Sequence, residues 1–150
     1  MQDAIDNVRD FHRHIGAPIA QSPTLLPCRR DDAATIAVQL RDLATTCHQM
    51  AQTAGDLPSR LSLALEEMAE WTEAHAAGDL VAAADAWGDR MYVLLGDAVA
   101  TGLPGGAILD EVHRSNMSKE LGSATVAGKG VKTDRFVPPD LAKLLDKSRE

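Results

Sequence analysis

Aromatic residues are scarce, only 3% of the 150-residue chain, and with abundant Ala and Leu this favours helices over a β-sandwich. Cysteine is scarce too. Cys28 and Cys47 stand apart, with neither CxxC spacing nor a Cys/His cluster, so neither a zinc site nor a disulfide framework is expected, only reduced thiols. No run reaches 18 apolar residues, and the opening MQDAIDNVRDFHRH is charged from its third residue without an apolar stretch behind it. The expectation is a cytoplasmic protein that neither spans a membrane nor carries a standard export signal. Positive charge is also short: 15 Lys and Arg face 22 Asp and Glu, a net charge of -7. That argues against a nonspecific nucleic-acid binder, which needs clustered cations to neutralise phosphates. An anionic ligand would require metal ions or a local basic patch.

What is present fits one soluble all-α domain over residues 1–150, with 45% apolar and 25% charged residues. Helix composition over about residues 3–15 stops at Gly16 and Pro18. After the turn-rich IAQSPTLLPCRR, Asp31 or Asp32 can cap a second helix reaching about Gly55. Pro58 opens a third helix that runs to about Ala77, and Gly78 and Asp79 form a C-cap and N-cap pair. A fourth helix covers about 80–101 and ends at Gly102, and Pro104 restarts the chain into a fifth reaching about Lys119. Residues 122–150 read as an extended tail rich in Gly, Pro and charge, with a short helix at about 138–146. Four to five helices joined by short breaks make a helical bundle.

The third helix carries RLSLALEEMAEWTEAH. At about 100° per residue, Glu66, Glu70 and Glu73 fall within roughly 60° of one another, and Glu67 lies roughly 100° from Glu66. Leu61, Ala64, Leu65, Met68 and Trp71 take the opposite side, as in an ordinary amphipathic helix with a solvated acidic face. Two details count against that plain reading: Leu63 projects into the acidic arc, and no Lys or Arg at i+3 or i+4 relieves the repulsion between Glu66 and Glu70. The fourth helix, LVAAADAWGDRMYVLLGDAVA, is apolar around most of its circumference and is expected to be largely buried. Asp85 and Asp89 then occupy its one narrow polar sector. A buried carboxylate pair must neutralise or find a cation. Asp85 and Asp89 facing Glu67 and Glu70 across an antiparallel helix pair, with a hard divalent cation such as Mg2+ or Mn2+ between them, is one solution. Hydrogen bonds from Arg or backbone groups to the two aspartates are the other.

EEMAE, ADAWGDRMYVLLG, EVHRSNMSK and GKGVKTDRFVPPDL together resemble the MazG-like all-α nucleotide pyrophosphohydrolases, whose relatives include phosphoribosyl-ATP pyrophosphohydrolases and dimeric dUTPases. The resemblance is firmest from about Arg60 to Leu145. It implies helical hairpins assembled as a homodimer or homotetramer, Mg2+ dependence, and hydrolysis of a nucleoside triphosphate to a monophosphate and pyrophosphate. Carried across, Glu67 and Glu70 match the first metal-binding pair, Asp89 the Asp of a second ExxD element, and Glu66 an added acidic position that orients water or holds a further metal. The Glu of ExxD is replaced by Ala86, and Asp85 is the nearest carboxylate.

On this reading a metal held by Glu67, Glu70, Asp85 and Asp89 bridges phosphate oxygens while Glu66 accepts a proton. Arg114, Asn116 and Lys119 are candidate nucleotide or phosphate contacts. Lys129 and Lys132, on the GKGVK segment, either close over phosphates, reach a neighbouring subunit, or are solvated loop lysines. His113 reads as structural, and Trp71 and Tyr92 as core rather than base-stacking residues. A phosphoribosyl-ATP pyrophosphohydrolase, or a degenerate helical oligomer that binds nucleotide or a partner without turnover, are the alternatives.

Overall fold

A computed structural model describes residues 1–121 and 129–147, so parts of the predicted tail, 122–128 and 148–150, lie outside the described residues. The protein is all-α. Among the described residues there are six helices: α1 (Gln2–His14), α2 (Arg30–Ala54), α3 (Asp56–Ala77), α4 (Leu80–Thr101), α5 (Gly105–Met117) and α6 (Leu141–Lys147). Their ends follow the local chemistry. Gly78 adopts a left-handed φ of 78° that a Cβ would disfavour, and its amide donates to the His75 carbonyl at 3.2 Å. Asp79 then caps α4, its Oδ1 accepting from the amides of Val81 and Ala82, both at 3.0 Å. One departure concerns α2: it begins at Arg30 with no side-chain cap, and Asp31 and Asp32 sit in its first turn, where their charge suits the helix dipole.

The described chain divides into two compact units, Ser22–Thr101 and Met1–Gln21 with the residues from Gly102 onward. In the first unit α3 packs on both α2 and α4. The seams are made of small side chains: Ala33, Ala37, Ala44 and Cys47 on α2, Ser62, Ala69 and Ala74 on α3, and Ala83 and Ala86 on α4 are buried, Ala69 completely. Ser62 Oγ lies 3.1 Å from the Ala44 carbonyl, and at the far end Arg60 reaches from α3 to Asp97 Oδ1 (2.7 Å) and the Val93 carbonyl (2.6 Å) on α4.

Small residues let helix axes approach, and the longer side chains are left outside the contact. Leu61 and Met68, expected on the packed stripe of α3, are therefore exposed. The same holds more strongly for α4, whose expected burial is not met within the chain: Val81 is 80% exposed, Tyr92 80% and Val99 84%, with Trp87, Leu94 and Leu95 also exposed. A helix apolar on nearly every side cannot be enclosed by the one face of α3.

In the second unit α5 packs against α1 and α6. The tail returns over α5 through the Val137 amide to Ser118 Oγ (2.9 Å) and the Asp140 amide to Glu111 Oε1 (2.6 Å). Glu120 and Val131 exchange both backbone hydrogen bonds at 2.9 Å. A Cβ on Gly130 would come within 2.9 Å of Lys119 Cβ, so the chain passes there too closely for a larger residue. No single helix among the described residues is long and apolar enough to cross a membrane.

Candidate functional site

The acidic residues of α3 and α4 all belong to the unit Ser22–Thr101. Glu67 is the most constrained of them. Its Oε2 is buried and, among the described residues, has no hydrogen-bond partner. Burial raises its pKa above the ordinary glutamate value, repulsion from Glu70, Asp89 and Glu66 adds to that, and Arg41 partly offsets the rise. The repulsion from Asp89 reaches Glu67 from α4, across the α3–α4 pair.

Glu66 accepts from Ser62 one turn earlier on α3, its Oε1 2.9 Å from the buried Ser62 hydroxyl. Ser62 has one proton for two acceptors, this carboxylate and the Ala44 carbonyl. Glu70 and Glu73 meet a cation that the sequence did not disclose. Arg41, on α2, holds Glu73 with a fork, Nε at 3.0 Å and Nη2 at 2.8 Å, and reaches Glu70 Oε1 more loosely with Nη2 at 3.4 Å and Nη1 at 3.5 Å. The bond to Glu73 leads in raising the Arg41 pKa above its ordinary value and in holding the Glu73 carboxyl below its own. Local spacing on α3 offered no basic neighbour, and the partner arrives from 29 and 32 residues earlier in the chain. Only the pairing of α2 with α3 makes it visible.

Asp85 and Asp89 are exposed, which corrects the expectation that they are buried and must be compensated. The cause is the open outer face of α4. Asp85 nevertheless joins Arg41, Glu70, Glu73 and Asp79 around a cleft of about 370 Å3, whose remaining lining is Ala74, Ala77, Ala82 and Ala86. Ala86 is 3% exposed. A second groove, of about 210 Å3, is lined mainly by apolar residues of α3 and α4, including Met68, Trp87, Met91 and Leu94, with Arg90 and Asp97.

For a divalent metal the donor chemistry fits: all donors are hard carboxylate oxygens, and Glu67 Oε2 finds among the described residues no partner of the kind a buried anion requires. Their present spacing is more open, since no three His, Cys, Asp or Glu among the described residues converge on one point as metal ligands. Arg41 stands beside Glu70 and Glu73 as the available counter-charge.

The predicted cations lie in the other unit. Arg114 forks onto Glu111 (2.8 and 2.7 Å) and donates to the Pro138 carbonyl at 3.0 Å, and the Glu111 carboxyl is held down to about 2, chiefly by that fork and secondly by the Asp140 amide. Lys119 Nζ donates to Asn116 Oδ1 at 2.7 Å and lies 5.9 Å from the Phe11 ring. Lys132 Nζ sits 4.7 Å over Phe136, Lys129 is exposed, and His113 is half-buried. Tyr92 is exposed rather than part of the core, and Trp71 lies between His75 (4.4 Å) and the Arg90 guanidinium (4.7 Å).

The model of the phosphoribosyl-ATP pyrophosphohydrolase family matches residues 43–116, from the middle of α2 to the last turn of α5. The matched stretch holds every acidic residue described above on α3 and α4, with Arg114 and Asn116, while Arg41, Lys119, Lys129 and Lys132 fall outside it. No curated protein and no solved structure matches the chain.

Proposed function

From its membership, through residues 43–116, of the MazG-like all-α pyrophosphohydrolase superfamily, we propose that this protein is a Mg2+-dependent nucleoside triphosphate pyrophosphohydrolase acting in sanitation of the cytoplasmic nucleotide pool. The observation that carries the reading is the buried, unpartnered Oε2 of Glu67 among the charges of Glu66, Glu70 and Asp89. Carboxylates that repel one another are stabilised by positive charge brought between them, and a triphosphate would be repelled by the same wall unless it arrived with cations. Glu67, Glu70, Asp85 and Asp89 would hold Mg2+, or Mn2+ in its place, which when bound neutralises phosphate oxygens and acidifies water.

The chain's own residues supply the rest. Glu66, held near Ser62, accepts the proton of the attacking water. Attack in line at the α-phosphorus breaks the bond to the β-phosphate oxygen and releases pyrophosphate. Arg114, Asn116, Lys119, Lys129 and Lys132 are the candidate nucleotide contacts. Of these, Asn116 and Lys119 would have to exchange their mutual bond for a phosphate or a base. A homodimer or homotetramer is part of the proposal, because Val81, Tyr92 and Val99 present an apolar outer face on α4 too large to be left in water.

The description of the matching family is equally consistent with a second reading, hydrolysis of phosphoribosyl-ATP. Pyrophosphate release from a panel of ribo- and deoxyribonucleoside triphosphates and phosphoribosyl-ATP, with and without Mg2+, separates the two. Metal-dependent release from a triphosphate, lost in Glu70→Ala and strongly weakened in Asp85→Ala, is expected. Silence across the whole panel at high enzyme concentration would sink the enzymatic reading and leave a degenerate helical oligomer.

A further inference from the structure

Among the described residues Arg41 is the only cationic side chain lining the carboxylate cleft, and it lies two residues before the stretch that matches the family. Its geometry is asymmetric. A guanidinium offers two edges to oxyanions, one from Nε with Nη2 and one from Nη1 with Nη2. Glu73 occupies the first edge at 3.0 and 2.8 Å, as a well-formed two-bond fork. The second edge meets a single oxygen, Glu70 Oε1, at 3.5 and 3.4 Å. These are near the outer limit of a hydrogen bond. The edge is thus oriented by one carboxylate and only loosely engaged by another. Asp85 lines the same cleft, so the guanidinium lies beside two of the residues assigned to the metal, Glu70 and Asp85.

Resting on the pyrophosphohydrolase reading, we propose that Arg41 is a substrate ligand whose Nη1/Nη2 edge binds two phosphoryl oxygens of the leaving pyrophosphate group, and that Glu73 is the positioning residue that aims it. Before substrate arrives, Arg41 supplies the counter-charge for Glu70. When Glu70 takes up a cation, the loose contact is given up at small cost, while the fork to Glu73 keeps the side chain in place. The same arginine therefore opposes metal alone and favours metal with pyrophosphate. Glu73, to which the sequence assigned no part in the site, acquires a role, and a lysine could not replace Arg41, having no planar pair of donors to divide between two oxyanions.

The test uses the full chain, with Mn2+ and inorganic pyrophosphate as probes in titration calorimetry. Arg41→Ala is expected to bind Mn2+ alone as tightly as the wild type or several-fold more tightly, and to bind pyrophosphate in the presence of Mn2+ roughly tenfold or more weakly, the worth of a lost charge-assisted pair. Arg41→Lys is expected to recover only part of the pyrophosphate affinity, and Glu73→Gln to weaken pyrophosphate while leaving Mn2+ unchanged. A merely structural arginine would lower both affinities together, and that result in both Arg41→Ala and Arg41→Lys overturns the proposal. So does pyrophosphate binding by Arg41→Ala equal to the wild type. If the wild type takes up no Mn2+ and no pyrophosphate, the pyrophosphohydrolase reading itself fails, and this inference with it.

Discussion

Glu67 is the residue on which the site's electrostatics turn. Its pKa is raised on folding, first by burial and then by neighbouring carboxylates. The folded state therefore holds this proton more firmly than the unfolded one. The stability it contributes is fully present below the unfolded-state pKa and is lost as pH rises through the folded value. In metal-free protein Glu67→Gln should consequently raise the melting temperature at pH 7. The gain should shrink toward pH 4. Melting curves in EDTA from pH 4 to 8 check this, and a fall in melting temperature at pH 7 would mean that Oε2 has a favourable partner in solution. Glu73 behaves oppositely. Its pKa is lowered by Arg41, so its contribution is present above the unfolded value and fades in acid. The carboxylates were legible as residues, but which of them is starved of a partner and which is satisfied depended on a guanidinium from another helix.

At the scale of elements, the order of the helices and their ends to within two or three residues could be read from Gly, Pro and Asp. Gly78 and Asp79 end one helix and cap the next as their chemistry requires. Which face of each helix is packed could not be read so directly. A hydrophobic periodicity identifies Leu61 and Met68 on α3, whereas the contact with α2 runs along Ser62 and Ala69. Alanine is counted as weakly apolar in any such pattern, but it is the residue that permits the closest approach. Ala69 has no exposed surface, so Ala69→Leu should overpack the seam and cost about 1–3 kcal/mol in urea denaturation. Leu61→Ala, by contrast, removes a half-solvated side chain and should cost about 0.5 kcal/mol or less. Reversal of that order would mean that Leu61, not the alanine row, forms the packing face.

For the whole molecule the telling quantity is the apolar surface of α4. Val81, Tyr92 and Val99 lie within roughly 20° of one another around the helix. Gly88 faces the same way, with nothing within 4 Å of where its Cβ would be. Stable interfaces of standard size bury about 1,200–2,000 Å2 with aromatic and aliphatic cores, and a second copy of α4 with its flanking residues would supply such a surface. Tyr92→Glu should shift the protein toward monomer in analytical ultracentrifugation while helical circular dichroism is kept. A wild-type chain that sediments as a monomer at tens of micromolar would refute the oligomer.

By itself the sequence determined the all-α class, the order and approximate extent of the helices, the acidic pairs on α3 and α4, and a resemblance that the match over residues 43–116 bears out. These are properties of composition and of spacing within one helix, which hydrogen-bonding geometry fixes locally. Tertiary structure alone decided that Asp85 and Asp89 are exposed, that Ala86 is buried, and that Arg41 joins Glu70 and Glu73. Each of those depends on how two helices meet, and that is set by alanine seams whose direction leaves almost no mark on hydropathy.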